Sequence, residues 1–171
     1  RGTMAAVRRY PSGVAYSFGP GGISPIVKAL ILADVAMFVV TALAPRLTIW
    51  LGLTPAAVFG ELWVWQPLTY MFLHGDLLHL LFNMLALWMF GTELERLWGA
   101  DKFLRFYAIT GVGAAITTLG ASLLPFAFAG PIYYSVTIGA SGAVYGLLLA
   151  WALTYPRRQI LMFLLFPVPA I

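Results

Sequence analysis

"YMFLHGDLLHLLFNMLALWMF", Tyr70 to Phe90, sets four polar side chains into a run apolar and long enough to cross a bilayer. They are His74, Asp76, His79 and Asn83. Hydrogen-bonding groups are costly in hydrocarbon, so where they occur they turn to the interior of a helical bundle. The stretch therefore reads as one membrane helix, Leu68–Phe90, with a polar face. His79 and Asn83 are four apart and share that face.

The rest of the chain supports a membrane setting. Of 171 residues, 61% are hydrophobic and 9% charged, and the mean hydropathy is +0.90. Soluble domains carry roughly 45–50% apolar and about 25% charged residues. The fold class expected is an all-α, multi-pass membrane bundle. Three further spans are expected at Ile26–Ala44, Phe103–Leu124 and Ile138–Leu153. The last is short, so an irregular stretch precedes it or it starts below the surface. That makes about four complete transmembrane helices. A fifth apolar run, Ile160–Ile171, covers only ~18 Å as helix against a core of about 30 Å. It reads as a partial fifth span interrupted by Pro167 and Pro169, and the chain as the front part of a longer protein.

Residues 1–25 are basic and rich in glycine and proline, and read as a flexible cytoplasmic tail; residues 26–171 form the membrane domain. Lys and Arg set the orientation. Nine of the ten fall on one side, in the tail with Lys28 and in the second-to-third and fourth-to-fifth connections, and only Arg46 falls on the other. The N-terminus is therefore expected in the cytoplasm, and the head of the fourth span toward the outer side. A prokaryotic inner membrane fits the compact plan. The first outer loop, Pro45 to Pro67, is apolar and holds Trp50, Trp63 and Trp65; one or two short amphipathic helices in the interface are expected there.

Other classes are disfavoured. The net charge of +4 comes from scattered basic residues that form no patch, so nucleic acid is not an expected partner. There are no cysteines. His74 and His79, five apart, would stand about 140° apart around one helix, a poor geometry for joint metal ligation. Neither metal nor cofactor is expected.

"TIGASGAVYGLL", Thr137 to Leu148, places Ser141 at the head of the fourth span, in the same half of the bilayer as His79. Three assignments stand for these polar residues. They could be hydrogen-bonding glue between helices, which composition alone favours. They could form an ion or proton path with Asp34 and Asp76. Or Ser141 could be a nucleophile, with His79 and Asn83 as donors to an oxyanion. Gly139 and Gly142 let backbone approach a ligand closely, and a helix starting near Ser141 points free N–H groups at the site. Gly142 and Gly146 also form a GxxxG, which close helix packing explains equally well.

"HGDLLHLLFN", His74 to Asn83, followed by "GASGAVYG", Gly139 to Gly146, resembles the rhomboid family of intramembrane serine proteases. The likeness extends to "WQPLTYMFLH" before the histidine and "GTELERLWG" after the second span. It implies a rhomboid-like bundle, six spans in the whole protein, and cleavage of transmembrane or juxtamembrane segments of membrane proteins by acyl transfer. Ser141 matches the nucleophile. His79, Asn83, the Ser141 amide and Gly139 match the oxyanion hole. Tyr145 matches an aromatic that packs on the catalytic histidine, and His74 a polar support near the top of the second span. Glu95 and Arg96 match a fold-stabilising region. Two departures stand out: Gln66 replaces the usual loop arginine, and no histidine follows His79. The base is expected beyond Ile171, and the 171 residues alone are expected to be inactive. The alternative is a non-catalytic rhomboid-like protein that binds transmembrane clients.

Overall fold

The computed structural model describes residues 19–125, 129–156, 159–162 and 166–169; most of the basic tail lies outside them. Among the described residues, three helical segments are long and apolar enough to cross a membrane: Pro25–Leu43, Leu77–Trp98 and Ala100–Ala121. The first is α1 and the third α7. The middle one comprises α5 (Leu77–Ala86), a π-helical turn (Leu87–Gly91) and α6 (Thr92–Trp98).

Connections carry most of the remaining helix. The apolar first loop folds into α2 (Arg46–Leu51) and α3 (Pro55–Glu61), followed by α4 (Gln66–Thr69) and a single 3₁₀ turn, Tyr70–Phe72. The second span thus begins at Leu77, not Leu68. Leu73 is extended, and Asp76 caps α5 by accepting the backbone N–H of His79 at 2.8 Å. A side-chain cap with extended backbone marks a helix start. Asp76 is exposed at that cap, and His74 lies in the connection rather than on the helix. Between α8 (Ala129–Tyr134) and α9 (Ser141–Thr154), Ser135–Ala140 is the irregular stretch expected before the fourth helix.

The run expected to start a fifth helix differs. Gln159–Met162 and Phe166–Pro169 pair as an antiparallel two-stranded sheet. Pro167 and Pro169 have no N–H for a helical ladder, so the second arm cannot continue one.

Small residues fix the helix packing. A Cβ on Gly142 would stand 2.5 Å from the Ala114 Cβ, and one on Gly146 2.6 Å from Thr110 Cγ2. Gly142 and Gly146 on α9 thus meet Ala114 and Thr110 on α7, two four-residue spacings face to face. That is small-residue packing as membrane helices use it, where van der Waals fit rather than hydrophobic burial holds neighbours together. Tyr70 joins the seam by donating its hydroxyl to the Gly111 carbonyl at 2.8 Å. Leu87, Leu94, Phe103, Ala143, Leu147 and Trp151 fill the interior beneath it.

The start of α1 has no acidic residue of its own. Glu95 supplies one from α6, accepting from the Ile26 and Val27 amides at 3.1 and 3.0 Å and from the Ser24 hydroxyl. Its neighbour Arg96 donates to the Pro20 and Gly22 carbonyls. The end of the tail, from Gly19 on, is therefore held against the bundle.

Candidate active site

Ser141 is the first residue of α9, and the loop before it is held from two sides. Leu53 and Thr137 exchange backbone hydrogen bonds of 2.9 and 2.8 Å. Two residues on, the Gly139 amide donates to the Tyr70 carbonyl at 2.9 Å. Gly139 takes φ +123°, which L side chains rarely adopt, so the turn into the helix depends on glycine here.

That turn brings the expected residues together. A Cβ on Gly139 would stand 2.8 Å from His79 Nε2 and 3.7 Å from Ser141 Oγ. The imidazole thus lies directly on the glycine Cα, with the serine hydroxyl beside it. His79, Asn83, Ser141 and Tyr145 line one cavity of about 370 Å³ together with Phe82, Val144 and Leu148. Asn83 is buried and donates one amide hydrogen to the His79 carbonyl at 2.9 Å, which fixes its rotamer and leaves a second hydrogen to offer. The first N–H groups of α9 have no intrahelical acceptor, and they converge with the helix dipole on the serine end of the cavity.

The other expected residues differ in their settings. Tyr145 lines the cavity and is 71% exposed. Gly142 faces Ala114 on α7, a packing position. His74 is buried behind His79, the two rings edge to face with centroids 5.0 Å apart. Burial, and secondarily the charge of His79, push the His74 pKa down to about 4. Among the described residues no group of three or more His, Asp or Glu is placed to hold a metal ion.

For two residues the sequence showed the position but not the partners. Gln66, where a loop arginine was expected, is fully buried. Its Oε1 accepts from the Thr54 amide at 2.9 Å, and its Nε2 reaches the Ile49 and Trp50 carbonyls at 3.3 and 3.4 Å. A neutral amide thus pins the first loop, where Trp50, Trp63 and Trp65 cluster. The second is Asp34, fully buried on α1 with Oδ1 3.9 Å from His74 Nδ1. Its place in an apolar span was visible; its partner, forty residues on, was not.

A model of the rhomboid domain matches residues 61–171, which include α4 through α9 and this cavity. The chain belongs to the rhomboid family. It is 38% identical over 99 residues to the mitochondrial rhomboid protein 1 of Saccharomyces cerevisiae, covering 57% of this chain and 27% of that protein. It is 39% identical over 84 residues to the rhomboid protease GluP of Bacillus subtilis, covering 49% and 14%. To the rhomboid protease AarA of Providencia stuartii it is 34% identical over 88 residues, covering 48% and 31%. The chain thus spans less than a third of the length of each of these relatives. Family and apolar helices together identify a rhomboid integral membrane protein.

Proposed function

We propose that the protein to which this chain belongs is an intramembrane serine endopeptidase, with Ser141 as nucleophile. The observation that carries the reading is the turn at Gly139, which sets His79 Nε2 and Ser141 Oγ against one glycine at the rim of a shared cavity. Relatives named as rhomboid proteases support the same reaction class.

In the proposed reaction, Ser141 Oγ attacks the carbonyl carbon of a substrate peptide bond and its proton passes to a general base. The tetrahedral oxyanion is held by His79 Nε2–H, the Asn83 amide and the Ser141 backbone N–H. Removing one such donor typically costs about 10²–10³ in rate. The intermediate collapses with expulsion of the amine, which takes the proton from the base. Water then hydrolyses the acyl-enzyme. With His79 donating to the oxyanion and His74 buried behind it, the base is assigned to a residue outside these 171. Substrates are transmembrane or juxtamembrane segments that unwind locally, because an intact helix hides its carbonyls. The serine end faces the outer side and the N-terminus the cytoplasm, as the distribution of Lys and Arg implies.

The test is cleavage of a model transmembrane substrate by the full-length protein in lipid vesicles. Ser141→Ala should abolish cleavage with expression and folding retained. Retained cleavage would refute the assignment, and a folded wild type that binds substrates without cutting them would favour a non-catalytic client-binding role.

A further inference from the structure

Behind His79 lies a second polar group of residues that the proposed chemistry does not use. Asp34 of α1 is fully buried, His74 in the α4–α5 connection is 4% exposed, and Tyr107 of α7 is 1% exposed. Both Asp34 oxygens, both His74 ring nitrogens and the Tyr107 hydroxyl lack a hydrogen-bond partner among the described residues. Three elements thus bring five unsatisfied polar atoms into the interior, an arrangement natural cores avoid.

As structure alone, this arrangement is a poor solution. Replacing a buried polar pair by apolar residues of similar volume is often neutral or stabilising. The pair does, however, stand next to His79. Asp34 Oδ1 and His74 Nδ1 are 3.9 Å apart, a gap that a small side-chain rotation closes to a hydrogen bond. On its other side, the His74 ring packs edge to face on His79, which in turn lies on Gly139 beside Ser141. A chain of contacts runs from Asp34 through His74 to the imidazole at the cavity.

We infer that Asp34 is a positioning residue: by accepting from His74 Nδ1–H it fixes the plane of His74, which holds the His79 ring with Nε2 turned to Ser141. This rests on the proposed role of His79 as oxyanion donor. A carboxylate or amide that orients an imidazole by accepting from its second nitrogen is a recurring device, because it selects one tautomer and one ring orientation. Tyr107 of α7, itself buried, is within electrostatic reach of Asp34.

The experiment uses full-length protein in lipid vesicles with Asp34→Asn and Asp34→Leu. An Asn keeps an acceptor for His74, whereas a Leu fills the space without one. The expected result is that Asp34→Leu melts no lower than wild type yet loses about tenfold or more in kcat, in keeping with the cost of misplacing a reacting group. Asp34→Asn should retain kcat within about threefold, rescue by the conservative variant that a filler role does not predict. In the inactive Ser141→Ala background, ¹⁵N-histidine spectra should show the His79 ring signals moved by Asp34→Leu and little changed by Asp34→Asn. That readout needs no cleavage, so it stands even if Ser141 proves not to be the nucleophile. Unmoved His79 signals, or an Asp34→Leu enzyme with wild-type kcat, would overturn the inference.

Discussion

Gly139 and His79 are in contact so close that no side chain fits between them: a Cβ on the glycine would stand 2.8 Å from Nε2 and 2.9 Å from Cε1. The backbone there is also held at φ +123°. Gly139→Ala is therefore strained twice, by its backbone and by the ring it displaces. The variant should remain folded, losing about 1–3 kcal/mol, while cleavage falls at least tenfold as His79 leaves its place. Thermal melting and kcat/KM on the same preparation separate the two effects.

Gln66 carries a load that its type alone does not announce. Gln66→Leu keeps the volume but leaves the Thr54 amide and the Ile49 carbonyl without their partner, while the Trp50 carbonyl keeps Trp65 Nε1–H at 2.9 Å. A loss of about 1–3 kcal/mol is expected, since an unsatisfied buried group bears its full desolvation cost. Because the anchor is neutral, the loss should be nearly the same at low and high salt, which a denaturation series at two ionic strengths reads directly.

Glu95 joins the start of α1 to α6 through three donors. Removing it strands two backbone amides and a hydroxyl at a helix N-terminus that has no acid of its own. Glu95→Ala should cost on the order of 2–4 kcal/mol and raise hydrogen exchange in the first turn of α1. Arg96→Ala, which frees two exposed carbonyls, should cost less.

His74 gives stability a pH dependence. Unfolded, it titrates near 6.5; folded, burial lowers it to about 4. Between these values the unfolded chain binds more protons, so the contribution is fully present above about pH 6.5 and is lost as pH falls toward 4. The size is at most about 3 kcal/mol. Melting curves from pH 7.5 to 4 should fall more steeply for wild type than for His74→Gln; parallel curves would contradict the burial of a neutral imidazole.

The spans and the meeting of His79, Asn83 and Ser141 were legible because each leaves a local trace: long apolar runs, a four-residue polar spacing, small residues around a serine. Two features misled. Apolar residues dominate from Leu68 into the span despite His74 and Asp76, so the helix start at Leu77 shows only in the Asp76 cap. The run from Ile160 has helical hydropathy, and its described parts pair as two antiparallel strands. What leaves no local trace is long-range pairing. Nothing near Asp34 points to His74, and nothing about Gln66 names the carbonyls of Ile49 and Trp50.

The central claim is that Ser141 is the nucleophile, and covalent capture tests it most directly. Full-length protein in vesicles would be treated with a fluorophosphonate, digested and mapped by mass spectrometry. One adduct is expected, on Ser141, lost in Ser141→Ala and slowed at least tenfold in Asn83→Ala and His79→Ala. An adduct on another serine, or cleavage activity that survives complete modification of Ser141, would contradict the account.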